Sequence, residues 1–148
     1  MKQLAVLPPP GPEEVQQRLA SRTAEVEERV HAGYAKSLEP LFRAGLAVVA
    51  VGGFGRGELF PHSDIDLLLL VESDKSLPPR ESISAFLQGL WDSGLRPSHS
   101  VHSLLDCVTE HADNAEFTIS LLDRRFLAGD AALYQSLEEK FRQFQAPS

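Results

Sequence analysis

The sequence predicts an α+β domain, a small mixed β-sheet flanked by helices. Three observations carry this. A long opening stretch repeats apolar residues at threes and fours. Two short, unbroken apolar runs follow, Leu46-Ala-Val-Val-Ala-Val51 and Ile65-Asp-Leu-Leu-Leu-Leu-Val71, separated by a glycine-rich turn. Shorter helical patterns and one polar strand complete the chain. With 148 residues, it has the usual size of one domain and is long enough for a real core.

Residues 1–12 read as a stiff, proline-rich leader. Their apolar stretch is too short for a signal peptide and runs into prolines. The functional core domain is expected over residues 13–110. Residues 111–148 are expected to begin a helical region that is cut short.

The first helix carries Val15, Leu19, Val26, Val30, Tyr34, Leu38 and Leu41 on one stripe. Glu13, Arg18, Glu25, Glu28 and Lys36 take the opposite face. Gly33 weakens the middle, and Pro40 ends or kinks the helix. Leu46–Val51 is a continuous apolar run with β-branched residues, and glycines follow at once. That pattern is a buried strand ending in a tight turn. Ile65–Val71 is the second strand. The two are joined by about a dozen residues and can pair in either sense.

Pro78-Pro79 closes the next loop. Residues 82–93 read as a helix with Ile83, Phe86, Leu87, Leu90 and Trp91 on its buried face, and Gly94 as C-cap. Pro97–His102 is a short polar third strand. Ser103-Leu-Leu-Asp106 matches a variant capping box and starts another helix. Residues 117–127 read as helical, with Leu121, Leu122 and Phe126 in the core. Gly129-Asp130 breaks that pattern, and residues 131–144 form the last helix.

Composition narrows the function. The chain is 43% hydrophobic and 24% charged, as an ordinary globular protein is. Its net charge of −7 and lack of a basic run argue against a nucleic-acid binder. One cysteine, Cys107, allows neither an internal disulfide nor a thiolate zinc cluster, and it reads as a small core residue. The longest apolar run contains Asp66 and is too short to cross a bilayer. A protein of the cytoplasm, not of the membrane, is expected.

The chemistry concentrates between the two apolar strands. Asp64 and Asp66 sit two apart at the start of the second strand, so both point to one face while Ile65 points to the core. Two carboxylates side by side on a buried strand repel one another, and a bound cation removes the conflict. Gly52, Gly53, Gly55 and Gly57 follow the first strand directly. Their missing side chains let backbone approach a phosphate. Arg56 offers a guanidinium fork to phosphate oxygens, and Ser63 offers a hydroxyl. A glycine-rich turn after a strand is common by itself. An Asp-x-Asp on an apolar strand is rarer, because buried aspartates need partners. Together they suit nucleotidyl transfer, in which two divalent metals clamp the attacking and leaving oxygens. A P-loop is excluded, since no Lys follows the glycines, and the spacing Gly53-Phe-Gly55-Arg-Gly57 is wrong for a dinucleotide fold.

These residues resemble the signature of the DNA polymerase β-type nucleotidyltransferases, in which two glycines open a short helical turn and an Asp-x-Asp strand follows. The stretch from Val51 to Leu70 is similar, more closely, to the N-terminal domain of the PII-protein uridylyltransferase family. Family members usually have Tyr where this chain has Phe54. Leu90-Trp-Asp-Ser-Gly-Leu95, His99-Ser-Val101 and Leu121-Leu-Asp-Arg-Arg-Phe-Leu-Ala-Gly-Asp130 continue the likeness. The resemblance implies a polymerase β-like fold with a helical C-terminal extension. It implies Mg²⁺-dependent transfer of UMP from UTP to a tyrosine of the nitrogen-regulatory PII protein. Asp64 and Asp66 would bind two metals, and Gly52, Gly53, Arg56 and Ser63 would hold the nucleotide.

Two departures stand out. The superfamily often supplies a third carboxylate from a later strand, and Pro97–His102 has none. Asp106 is nearby but in a capping position, and His99 or His102 is the other polar group at hand. The family's enzymes are also several times longer, with hydrolase and sensing domains. No His-Asp dyad occurs among His31, His62, His99, His102 and His111. The expectation is a nucleotidyltransferase core, either a fragment or a stand-alone relative, that neither removes UMP nor senses glutamine by the family's route.

Overall fold

The computed structural model describes residues 11–40, 45–57, 64–73, 78–109 and 121–145. The elements are α1 (Pro12–Ser37), β1 (Leu46–Val51), α2 (Gly52–Gly55), β2 (Ile65–Val71), α3 (Arg80–Asp92), β3 (Pro97–Ser103), α4 (Leu104–Thr109), β4 (Arg125–Gly129) and α5 (Ala131–Gln145). The expected α+β class with a mixed sheet holds. Most of the leader, Leu41 and residues 117–120 of the expected helix lie outside the described residues.

Four strands form one sheet in the order β3-β2-β1-β4. β1 pairs antiparallel with β2 and with β4, while β2 and β3 run parallel. The turn between β1 and β2 therefore folds the chain straight back, with Val51 opposite Asp66. Period-2 alternation sends the two faces of each strand into different cores. Leu46, Val48 and Ala50 of β1 and Ile65, Leu67, Leu69 and Val71 of β2 pack with α1 and α3. Ala47, Val49, Val51, Leu68 and Leu70 pack with Cys107 of α4 and with Leu133, Leu137 and Phe141 of α5. Both central strands are thus covered on both faces, which is why they read as continuous apolar runs.

α1 begins with a proline in its first turn, followed by Glu13 and Glu14 at the positive end of the helix dipole. It buries Thr23, Val26, Val30 and Tyr34 at helical spacing. Gly33 faces α3, where a Cβ would lie 3.4 Å from Leu90 Cδ2 and from the Phe86 ring. α3 ends in a Schellman motif. Leu95 N–H donates to Leu90 O, and Gly94 N–H to Trp91 O, each at 3.0 Å, with Gly94 at φ 90°. Buried Leu95 belongs to the same core cluster as Leu90.

The capping box at α4 forms as read. Asp106 N–H donates to Ser103 Oγ at 3.1 Å, and Ser103 N–H to Asp106 Oδ2 at 3.3 Å. Asp130 caps α5 in a similar way, accepting from Leu133 N–H at 3.1 Å and reaching across to Gly45 N–H at 2.9 Å.

Two readings are corrected. Residues 125–129 are a strand, not the end of a helix. β1 has two edges, and β4 satisfies the backbone groups on the one that β2 leaves open. The close approach needs Gly129, where φ is 99° and a Cβ would fall 2.3 Å from Leu46 O. The helical spacing of Leu121, Leu122 and Phe126 is incidental: Leu121 is buried, Phe126 half-buried and Leu122 66% exposed. Trp91, read into the buried face of α3, is 52% exposed, because it sits one residue beyond Leu90 on the helix surface. No described helix is long and apolar enough to cross a membrane.

Candidate functional site

The site grows from the point where β1 ends. Val51, still extended, hands over to α2, a single turn with Gly52 at φ 59°. That left-handed angle favours glycine. A second constraint acts at the same residue: a Cβ on Gly52 would sit 3.0 Å from Asp66 Oδ2. The Asp66 carboxylate therefore lies directly over the Gly52 backbone. The antiparallel register that sets Val51 opposite Asp66 produces this juxtaposition.

Asp66 is half-buried on the α4/α5 side of the sheet, the side of Leu68 and Leu70. Burial, and then the charge of Asp64, push its carboxyl pKa above the ordinary carboxylate value. Asp64 lies just before β2 and is exposed, with its Oδ1 3.8 Å from Arg96 Nε. Arg96 also anchors this end of the sheet, since Ile65 N–H donates to its carbonyl at 3.0 Å. The pair is thus one open carboxylate and one sheltered carboxylate that repel each other. Oxygen donors in that state suit a hard divalent cation, which would relieve both the burial and the repulsion. Among the described residues no cluster of three or more His, Cys, Asp or Glu forms, so two carboxylates are what these residues offer.

β3 runs beside β2 and places Ser98 next to Asp66. His99 pairs with Leu67 and so faces the other side of the sheet. His102 pairs with Leu70, four residues along from Asp66, a distance of roughly 13 Å. Neither histidine is brought to the carboxylates. Asp106 is occupied by its capping bonds with Ser103.

Of the other expected groups, Gly53 continues the turn and Arg56 follows it. Arg56 is exposed and forms an ion pair with Asp123 at 2.8 Å. Ser63 lies outside the described residues.

Three residues near the turn were not singled out by motif reasoning: Asp123, Arg125 and Arg96. The segment before β4 packs against α2 so closely that a Cβ on Gly55 would fall 1.9 Å from Asp123 O. Arg125 donates to Phe54 O at 2.8 Å and to Gly55 O at 3.2 Å. Its guanidinium stands 5.6 Å from the centroid of the buried Phe54 ring and pairs with Glu27 of α1. Thr23 ties α1 to the same turn, with its hydroxyl 3.0 Å from Gly57 O and 2.8 Å from Leu19 O. These contacts span long stretches of chain, and local spacing carries no signal for them.

The nucleotidyltransferase domain model matches residues 28–127, a span containing β1, the glycine turn, β2, β3 and the start of β4. The chain is similar to the bifunctional uridylyltransferase/uridylyl-removing enzyme of Bordetella avium, 44% identical over 95 residues, 64% of this chain. It is similar to the enzyme of that name from Ralstonia nicotianae, 45% identical over 98 residues, and from Cupriavidus metallidurans, 42% over 97 residues. The chain spans 11% of the length of each of these relatives.

Proposed function

From the premise that this chain belongs to the nucleotidyltransferase domain family, we propose that Asp64, Asp66 and the Gly52–Gly55 turn form its metal and nucleotide site. The observation that carries the reading is the Asp66 carboxylate lying over a glycine whose φ is positive, beside a second carboxylate. A site for phosphate and cation needs both: bare backbone for the phosphates and paired oxygens for Mg²⁺.

In this reading Asp64 and Asp66 hold Mg²⁺, which when bound neutralises charge on the α-phosphate and the leaving group. Gly52 and Gly53 let the triphosphate approach the main chain. Arg56 exchanges Asp123 for phosphate oxygens, and Ser63 adds a hydroxyl donor. An acceptor hydroxyl attacks the α-phosphorus. A new oxygen–phosphorus bond forms, the bond to the bridging oxygen breaks, and pyrophosphate leaves with that electron pair. The hydroxyl proton passes to solvent.

The relatives are named for uridylyl transfer. The finer proposal is UTP as donor and a tyrosine hydroxyl of the PII protein as acceptor, in the cytoplasm. The test is direct. The chain is incubated with Mg²⁺, PII protein and UTP labelled at the α-phosphate, and separately with ATP labelled likewise. Label on PII from UTP alone supports the proposal. Label from ATP alone changes the donor to an adenylyl group. No label with either nucleotide contradicts transfer by this chain to PII.

A further inference from the structure

Arg125 reaches the glycine turn from a strand some seventy residues further along the chain. It lies at the start of β4, is about one-third exposed, and makes four distinct contacts. Its Nη2 donates to Phe54 O at 2.8 Å and its Nε to Gly55 O at 3.2 Å. Its Nη1 pairs with Glu27 on α1. Its guanidinium carbon is 5.6 Å from the Phe54 ring centroid.

α2 is one turn long: Phe54 O accepts from Gly57 N–H at 3.1 Å, and Arg125 adds a charged donor to that carbonyl and to Gly55 O from outside the turn. A planar, permanently charged fork satisfies two neighbouring carbonyls at once, and charged donors make the stronger hydrogen bonds. Glu27 holds that fork from the opposite side. Burial pulls the guanidinium below its ordinary pKa, and the carboxylate of Glu27 supplies a counter-charge. The turn is rich in glycine and would otherwise have wide conformational freedom. Its position relative to Asp66 therefore depends on what grips its far end.

We propose that Arg125, held by Glu27, is a positioning residue that clamps the Phe54 and Gly55 carbonyls and so fixes the glycine turn at the distance from Asp66 that nucleotide binding requires. The inference rests on the metal–nucleotide reading of that site. In this role Arg125 acts through the turn, so its loss acts on nucleotide affinity and not on the carboxylates.

The experiment compares the wild-type chain with Arg125→Gln, Arg125→Lys and Glu27→Gln in three measurements. These are Mn²⁺ affinity without nucleotide, affinity for a fluorescent UTP analogue with Mg²⁺, and amide hydrogen exchange over residues 52–57. Arg125→Gln is expected to weaken analogue binding at least about tenfold, as loss of more than 1.4 kcal/mol would. Mn²⁺ affinity should stay within about twofold, since Asp64 and Asp66 are untouched. Exchange should quicken in the turn while β1 and β2 stay protected. Lys keeps the charge without the fork and should recover part of the affinity. Glu27→Gln, at a partly buried position on α1, tests the clamp if Arg125→Gln fails to fold, and a smaller loss in the same direction is expected.

Variants that bind the analogue as the wild type does, with unchanged exchange in the turn, overturn the proposal. A wild-type chain that binds no analogue with Mg²⁺ overturns the site reading itself, and the clamp's role in nucleotide binding falls with it. Equal weakening of Mn²⁺ and analogue binding also overturns it, because that marks general loosening of the sheet.

Discussion

The carboxylate Oδ2 of Asp66 lies 3.0 Å from the point where a side chain on Gly52 would begin. Gly52 also has φ 59°, so two independent constraints meet at one residue. Gly52→Ala must adopt a left-handed backbone angle, at a cost of about 1–2 kcal/mol. It must also push the Asp66 carboxylate aside. The expected outcome is a folded protein with lowered melting temperature and with Mg²⁺-dependent nucleotide binding lost. Calorimetry and titration with UTP check both. Wild-type affinity in this variant would break the link between the turn and Asp66.

Asp66→Asn is expected to raise thermal stability in metal-free buffer at neutral pH. The Asp66 pKa is raised first by burial and then by Asp64. The folded state therefore binds that proton more tightly than the unfolded chain does. Stability is fullest at pH below the unfolded value and is lost as pH rises through the folded one. Near neutrality the charge is a net cost that Asn removes. Saturating Mg²⁺ should reverse the order, because only the wild type gains from binding, by about 2.7 kcal/mol at a hundredfold excess over Kd. Melting curves with and without Mg²⁺ measure the crossing.

Two other glycines should respond in opposite ways to alanine. At Gly55 a Cβ would sit 1.9 Å from Asp123 O, a backbone atom that cannot swing away. Gly55→Ala should therefore destabilise by several kcal/mol, of the size that overpacking against fixed atoms gives (about 1–3 kcal/mol or more). At Gly89, inside α3, nothing lies within 4 Å of the added carbon. Gly89→Ala should stabilise by roughly 0.5–1 kcal/mol through helix propensity. Chemical denaturation of both variants tests the pair.

Asp130 gives the fold an acid-sensitive joint. Hydrogen bonds from the Gly45 and Leu133 amides hold its carboxyl pKa below the ordinary value. Its contribution is present above the unfolded pKa and is lost as pH falls through the lowered folded one. Asp130→Ala should cost about 1 kcal/mol at neutral pH, as loss of an N-cap does. It should also flatten the acid limb of the stability profile below about pH 4. An unchanged acid limb would remove Asp130 from the joint between β1 and α5.

The two central strands and the Asp-x-Asp pair were legible because their signals are local. β1 and β2 are covered on both faces, and that burial writes itself as unbroken apolar runs. The capping bonds of Asp106 and the Gly94 stop of α3 are likewise local. β4 was not legible. It is five residues long and gains its partner only by pairing with β1, some eighty positions earlier. Trp91 shared the apolar spacing of Ile83, Phe86, Leu87 and Leu90, and one step of helix rotation left it in solvent. The sense of the β1–β2 pairing also needed the structure. In the candidate site, the carboxylates and glycines stand out by local spacing, while the Glu27–Arg125 ion pair joins residues nearly a hundred apart, beyond the reach of local spacing.

The central claim is that Asp64, Asp66 and the glycine turn together bind a metal–nucleotide complex. Isothermal titration of the chain with UTP, in the presence and absence of Mg²⁺, tests it most directly when repeated on Asp64→Asn/Asp66→Asn. The predicted result is saturable binding by the wild type that requires Mg²⁺ and disappears in the double variant. Binding of equal strength without Mg²⁺, or retained in a folded double variant, would contradict it.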